Sequence, residues 1–307
     1  MGLIHYHAKT IGQLAYQGVR SANSARVIGV TSKGIFLLTP TRIVLFISFG
    51  HFCSPLTINV DEKLNELPNI HENMNVVLSA ENISFIEAGI EITYTQAVIW
   101  YPASPPAAKR PPSLWIDRLR EISTGVITEN RKPGFRELLE PYLGINISAP
   151  RLMLSPQHSV LLLQLQNLQM SLKQNDVDKT REILTGFLGM GQGLTPSGDD
   201  LIIGVLLVLN RWQDTLFPAY ELHKLNQSII SAANQKTTTI SENLIACAAQ
   251  GSADERLIYV ADAIFTSDEH DQAKCVSYLL ELGNSSGVDS LVGMAVVITA
   301  VAQAAMP

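Results

Sequence analysis

The feature that most constrains this 307-residue chain is a glycine-rich loop that runs directly into a continuous apolar segment. The loop reads Gly-Met-Gly-Gln-Gly-Leu-Thr-Pro-Ser-Gly-Asp-Asp over residues 189–200, and residues 201–209 carry only apolar side chains and one glycine. Glycines at alternate positions allow positive φ angles and let a ligand approach the main chain closely. Because the segment that follows is apolar on every face, the sequence predicts a buried helix that begins at this loop.

The start of this helix predicts an anion site. Ser197 and Asp200 have the S-x-x-D spacing of a capping box, which predicts that Ser197 caps the helix. The first amides of a helix have no intrahelical partner, and the helix dipole is positive at that end, so loop and helix together favour a bound anion. The predicted ligand contacts here are Gly191, Gly193, Leu194, Thr195, Ser197 and Gly198.

Two aspartates distinguish this loop from common nucleotide-binding loops. The glycine spacing does not fit the G-x-G-x-x-G dinucleotide fingerprint, and Asp199-Asp200 stands where a P-loop carries Lys-Ser/Thr. Two carboxylates would repel a bare phosphate, so three roles stay open: they stabilise the helix terminus, bind Mg²⁺, or orient a neutral or cationic group. We predict Asp199 and Asp200 as the catalytic residues and, if a metal is used, as Mg²⁺ ligands; no other cofactor is predicted.

The start of the helix recurs near the end of the chain. Residues 197–205 and 286–294 share the pattern S-G-x-D-x-apolar-apolar-G-apolar, which is either a degenerate internal repeat or a convergent helix-start signal. We predict that the two helix N-termini meet at one cavity and that Gly204 and Gly293 permit close helix packing. The predicted ligand contacts at this second start are Ser285 and Ser286.

A third hydroxyl-rich stretch occupies residues 236–241. It is either a threonine-rich turn, with Thr239 and Glu242 in capping-box spacing, or a further ligand contact. Lys236 is the only cation close to the three loops in sequence, so we predict that it neutralises a bound anion. Thr238 and Thr239 are the hydroxyl contacts predicted in this stretch.

The rest of the chain divides into a part with strand-like sequence patterns and a part with helix-like ones. Residues 26–101 hold short runs rich in Ile, Val, Phe and Tyr, which predict an antiparallel β sandwich or small barrel, and residues 9–22 have helical spacing. The predicted strands are 26–30, 35–38, 42–49, 56–60, 75–79, 83–86, 90–94 and 97–100. We predict an α+β chain with a mainly β domain over residues 1–110, ending in a proline-rich linker, and an all-α domain of about eight helices over residues 111–307 that carries the glycine loop.

Composition and charge narrow the function classes. The net charge of −6, without Lys/Arg clusters interleaved with aromatics, argues against nucleic acid as the main partner. Three widely separated cysteines match neither a disulfide framework nor metal spacing, which predicts a reducing cytoplasm. Residues 291–306 fall short of the ~20 residues of a bilayer span, so we predict a buried helix and no membrane association. The sequence shows no Ser-His-Asp or Cys-His set, which disfavours covalent catalysis.

Residues 189–204, read as G-x-G-x-G-L-T-P-S-G-D-D-x-x-x-G, are similar to a bacterial family first described as a domain of unknown function. Its members include the AllH-type (YlbF-like) subunit associated with oxamate carbamoyltransferase in anaerobic allantoin breakdown. The resemblance covers chiefly the helical half and is weaker at residues 238–241 and 283–293. It implies a small anionic substrate and carbamoyl transfer between oxalurate and phosphate, giving oxamate and carbamoyl phosphate, in a complex with FdrA-type and YlbE-type subunits.

The residue chemistry is compatible with this reaction and with two others. Carbamoyl transfer needs a phosphate cradle and donors to the carbamoyl oxygen, which loop amides supply, while Asp199 or Asp200 would bind the carbamoyl NH₂ or Mg²⁺. One alternative is a non-catalytic anion-binding or assembly subunit. The other is a Mg²⁺-dependent phosphoryl-transfer enzyme or hydrolase that uses the aspartate pair. The sequence leaves self-association into a homo-oligomer open.

Overall fold

A computed structural model describes residues 3–60, 69–107, 110–129, 134–145, 155–216, 220–266 and 272–304. The chain divides into two compact units, Met1–Ala103 and Ser104–Pro307. The first unit is built of strands and the second of helices, which confirms the predicted α+β class. The predicted domain bounds of 1–110 and 111–307 stay a prediction.

The first unit is a β barrel with one added strand. Its elements are β1 (Ile4–Gly12), α1 (Gln13–Ser21), β2 (Ser24–Thr31), β3 (Gly34–Leu38), β4 (Val44–Ser48), β5 (Thr57–Val60), β6 (Asn75–Leu78), β7 (Asn82–Phe85), β8 (Ile90–Thr93) and β9 (Val98–Trp100). The strand order is β5-β4-β3-β2-β6-β7-β8-β1-β9, and a further pairing between β5 and β1 closes eight strands into a barrel. Alternate residues of the strands are buried, so the barrel interior is a packed apolar core.

The barrel corrects the predicted antiparallel pairing. Strand β1 runs parallel to β8 and β9, and β4 runs parallel to β5, so the sheet is mixed. All eight predicted strands are present, but β1 replaces the first part of the helix predicted over residues 9–22. The change from strand to helix occurs at Gly12, where a Cβ would overlap the backbone of Ser54 and Pro55. The amides of Leu14 and Ala15 then donate to the Pro55 carbonyl at 3.0 and 2.9 Å.

The described residues of the second unit form helices joined by loops, without a strand. Its helices are α2 (Pro112–Glu129), α3 (Arg136–Leu143), α4 (Pro156–Lys173), α5 (Val177–Phe187), α6 (Ser197–Arg211), α7 (Gln213–Leu216), α8 (Leu222–Lys236), α9 (Thr239–Ala248), α10 (Glu255–Phe265), α11 (Gln272–Glu281) and α12 (Ser286–Ala304). The described residues thus hold eleven helices where about eight were predicted, and two of them, α3 and α7, are short.

Helices α6 and α12 form the centre of this unit, and both are buried over most of their length. They cross at two glycines, as predicted. A Cβ at Gly204 would overlap the Ser290 carbonyl oxygen, and a Cβ at Gly293 would overlap the Leu201 carbonyl oxygen. Among the described helices, none is both long and apolar enough to cross a bilayer.

Candidate functional site

The glycine loop before α6 depends on its glycines. Gly189, Gly191 and Gly193 have φ angles of +73°, +119° and +97°, which side-chain-bearing residues rarely adopt. A Cβ at Gly189 would also overlap the carbonyl oxygen of Lys236, and a Cβ at Gly191 would lie 2.8 Å from the Ser197 amide nitrogen. The positive φ angles are as the sequence predicts, and the loop folds tightly against the end of α8 and the start of α6.

The start of α6 differs from the predicted capping box. Pro196 is the N-cap residue, no side chain caps the helix, and Ser197 is its first residue. The Gly198 amide donates to the Met190 carbonyl at 2.8 Å, and the Asp199 amide donates to the Pro196 carbonyl at 2.9 Å. The prediction that Ser197 caps the helix is wrong because the loop folds back and supplies backbone acceptors itself. Residues 191–194 of the loop are exposed.

Asp199 holds this loop in place. Its side chain is fully buried, with 0% exposure. Its Oδ1 accepts a hydrogen bond from the Gly189 amide at 2.8 Å, and its Oδ2 accepts one from the Thr237 hydroxyl. Both carboxylate oxygens therefore have partners within the protein, and they connect the loop to the α8–α9 turn.

The threonine-rich stretch also contacts the glycine loop. Thr238 is the N-cap of α9, where it accepts from the Ser241 amide at 3.1 Å, and its hydroxyl donates to the Leu194 carbonyl at 2.7 Å. The observed cap is therefore one residue earlier than the predicted Thr239, which is the first residue of the helix. Lys236 ends α8 with an exposed side chain, and the structure places its backbone against the loop.

The two helix starts meet, as the repeat predicts. The hydroxyls of Thr195 and Ser286 lie 3.1 Å apart, and the Ser290 hydroxyl donates to the Asp200 carbonyl at 3.0 Å. Ser290 stands in the α12 repeat where Leu201 stands in α6. The N-termini of α6 and α12 are therefore direct neighbours.

Two equivalent aspartates lie where these N-termini meet. Burial raises the pKa of Asp200 well above its ordinary range, and hydrogen bonding from the Ser286 and Thr195 hydroxyls partly offsets this. Burial likewise raises the pKa of Asp289. Hydrogen bonding from the Phe135 amide, which donates to Oδ1 at 2.6 Å, and from the hydroxyls of residues 197 and 285 lowers it. In both residues Oδ2 is buried without a hydrogen-bond partner.

A cavity of about 520 Å³ lies beside this junction. Met190, Gly191 and Ser197 line it from the loop and the start of α6. Its remaining lining residues are Gly134, Phe135, Gln157, His158, Val160, Leu161 and Gln164. The His158 Nδ1 lies 3.0 Å from a Glu137 carboxylate oxygen at its edge. The cavity thus lies between residues of the glycine loop and apolar and polar residues of α4.

Three residues that contact the glycine loop or the two helix starts were not among the site residues predicted from the sequence. Asp289 occupies the same repeat position as Asp200, so the repeat carried the signal that identifies it. Thr237 belongs to the recognised threonine stretch, but the sequence does not show which hydroxyl faces Asp199. Phe135 lies 154 residues from Asp289, and no local pattern links the two. The described residues contain no group of three or more His, Cys, Asp or Glu side chains placed to hold a metal ion.

The segment that forms this junction also carries the family signal. Residues 187–298 match the family model described as oxamate carbamoyltransferase subunit AllH. The match begins at the last residue of α5 and ends within α12, so it contains the glycine loop, the threonine stretch and both helix starts. It supports the AllH-type family that the glycine-loop motif indicates. No solved structure matches the chain.

Proposed function

We propose that this chain is a subunit of an oxamate carbamoyltransferase in allantoin catabolism, acting with FdrA-type and YlbE-type partner subunits. We further propose that the cavity beside the glycine loop binds the reactants of carbamoyl transfer. The observation that best supports this is that the loop and both helix starts of the AllH-like segment meet beside a cavity of about 520 Å³. Cavities of roughly 300–1,000 Å³ are typical of small-molecule sites.

The loop amides are suited to the anionic part of the reactants. When phosphate attacks the carbamoyl carbon of oxalurate, the C–N bond to oxamate breaks and carbamoyl phosphate forms, with negative charge developing on the carbamoyl oxygen. Fixed amide donors stabilise such charge. In the described structure the amides of Gly191, Gly193 and Leu194 donate to no protein acceptor, so they are available to a phosphate or carboxylate group.

The two predicted catalytic aspartates take positioning roles in this proposal. Asp199 fixes Gly189 and thereby the loop. Asp200 positions the hydroxyls of Thr195 and Ser286, with which its carboxyl group is hydrogen-bonded. Ser197 is the hydroxyl that lines the cavity itself.

A non-catalytic role in assembly is the second candidate function. Both oxygens of Asp199 and the amide of Gly198 bond within the protein, so much of the helix start maintains the local fold. In that case the partner subunits alone would transfer the carbamoyl group, and this chain would change their assembly or stability.

The test is carbamoyl transfer from carbamoyl phosphate to oxamate by the complex reconstituted with both partner subunits. Gly191→Ala is expected to lower kcat/KM by about 100-fold, because a side chain at φ +119° displaces the loop amides. Gly186→Ala is the matched control, since a Cβ there has no neighbour within 4 Å. Full activity of the partners without this chain, or an unimpaired Gly191→Ala complex, would contradict the proposed catalytic role.

A further inference from the structure

We propose that Asp200 and Asp289 bind one divalent cation of the Mg²⁺ or Ca²⁺ class between the N-termini of α6 and α12. The hydroxyl oxygens of Thr195, Ser197 and Ser286 complete the protein side of this site. The inference goes beyond the proposed function, because it concerns the isolated chain and holds whichever reaction the complex performs.

The first argument is the symmetry of the two acids. Asp200 and Asp289 occupy the same position in the repeated helix start. The Ser286 hydroxyl is hydrogen-bonded to the Asp200 carboxyl group, whereas the Ser197 hydroxyl is hydrogen-bonded to the Asp289 carboxyl group. Each helix therefore directs its first serine towards the carboxyl group of the other helix. Together with the Thr195 hydroxyl, which is hydrogen-bonded to Asp200, this crossed arrangement places hydroxyl groups of both helix starts and the loop against the two carboxyl groups.

The second argument is that both carboxyl groups lack a partner for one oxygen. Asp200 is 3% exposed and Asp289 is 0% exposed, and the Oδ2 atom of each is buried without a hydrogen bond. Buried polar atoms in folded proteins nearly always have a partner, and an ion is one that accounts for such an exception. Two equivalent exceptions at one junction indicate one shared partner.

The third argument is charge. The groups that act on these two carboxyls are hydroxyls, one amide and other carboxyls, and no Lys or Arg is among them. An isolated buried carboxylate is costly unless a cation compensates it. One divalent ion neutralises both carboxylates at once, whereas without it each carboxyl group must bind a proton of its own to lose its charge.

The donor set decides the class of cation. Carboxylate and hydroxyl oxygens are hard ligands, which suit Mg²⁺ and Ca²⁺ rather than thiolate- or imidazole-preferring metals. Mg²⁺ is commonly held by one or two carboxylates and keeps other positions for water or phosphate. Ser197 lines the cavity, and Phe135, which bonds to Asp289, lines it as well. The open side of the ion would therefore face the cavity.

The experiment measures ion binding by the isolated chain after removal of metals with a chelator. Calorimetry with Mg²⁺ and Ca²⁺, and electron paramagnetic resonance with Mn²⁺ as the probe, are expected to show one ion per chain and a higher Tm. Asp200→Asn and Asp289→Asn should each weaken binding at least about tenfold, because the amide removes a charged ligand. Asp178→Asn, whose side chain is 63% exposed, is the control and should bind like the wild type.

Two outcomes would overturn the site: a stripped wild-type chain that binds none of the three ions at millimolar concentration, or binding by both Asn variants that equals the wild type. If an Asn variant fails to fold, Ser286→Ala provides the test, and binding several-fold weaker than wild type is expected. The ion-binding experiment contains neither a partner subunit nor a carbamoyl reactant. An inactive complex whose isolated chain still binds the ion would therefore contradict only the proposed function.

Discussion

Gly204 lies against the carbonyl oxygen of Ser290, so closely that a Cβ at Gly204 would overlap this oxygen. Gly293 has the equivalent relationship to Leu201, which makes the α6–α12 crossing reciprocal. We expect Gly204→Ala to lower the free energy of unfolding by roughly 1–3 kcal/mol, the typical cost of overpacking a core. The helices would have to separate, because the contact is with rigid backbone. Urea denaturation of the isolated chain measures the change.

Gly186→Ala is the matched control for this substitution. Gly186 lies inside α5, and a Cβ there has no neighbour within 4 Å. Alanine in an open helix interior stabilises by roughly 0.5–1 kcal/mol relative to glycine. Opposite signs for the two variants are therefore expected, and equal effects would show that helix propensity rather than close packing governs Gly204.

The sequence predicted those features that local chemistry determines. The strands alternate β-branched and aromatic residues on a buried face, so their positions followed from the sequence alone. The meeting of α6 and α12 followed from the repeated S-G-x-D start, and the close approach followed from its glycines. Strand β1 was missed because its His, Lys and Ala residues give only partial alternation, and its partners β8 and β9 lie far along the chain.

The sequence did not predict what depends on distant backbone. Ser197 had the spacing of a cap, but the loop positions Met190 and Pro196 to supply the acceptors instead. The environment of Asp289 depends on Phe135 and Gly134, which approach it from a segment far away in sequence. Such contacts arise only when several helices pack together. The capping prediction failed, and the partners of Asp289 went unrecognised, for this same reason.

Arg211 and Asp262 form a buried ion pair at the other end of α6. The Arg211 Nε and Nη2 donate to the two Asp262 carboxylate oxygens, both at 2.7 Å, and the side chains are 3% and 11% exposed. Asp262→Ala is expected to cost about 3–5 kcal/mol, because it removes the carboxylate that pairs with the buried guanidinium. Thermal and urea denaturation measure this. Glu182→Ala, which removes an exposed pair with Lys179, should cost no more than about 1 kcal/mol.

The two hydrogen bonds that Asp199 accepts lead to a separate prediction about the glycine loop. An Asn side chain offers one acceptor oxygen where the carboxylate offers two, so Asp199→Asn cannot accept from both Gly189 and Thr237. We expect a loss of about 1–3 kcal/mol and faster amide hydrogen exchange at Gly189. Thr237→Ser keeps the hydroxyl and should retain slow exchange at Gly189. Exchange at Gly189 that is unchanged in Asp199→Asn would show that the carboxylate does not hold the loop.

The raised pKa values of Asp200 and Asp289 predict an unusual dependence of stability on pH. The folded-state pKa values of Asp200 and Asp289 are raised, so at intermediate pH the folded chain binds more protons than the unfolded chain. Their contribution is fully present below the unfolded pKa of about 3.9 and is lost as pH rises through the folded values. The metal-free chain should therefore gain stability as pH falls from the raised folded values towards the unfolded value of about 3.9, by about 1.4 kcal/mol per pH unit for each extra proton bound.

Asparagine variants and added cation isolate this effect. Asp199 and the hydroxyls of Thr195, Ser197, Ser285 and Ser286, with the Phe135 amide, are the groups that face the two carboxyls. None of the hydroxyls or the amide titrates between pH 5 and 8, so an Asp200→Asn, Asp289→Asn double variant should show a flatter dependence of Tm on pH. Saturating Mg²⁺ should flatten the wild-type curve as well, because the ion keeps both carboxylates charged at lower pH. A double variant with the wild-type slope would place the titrating groups elsewhere in the chain.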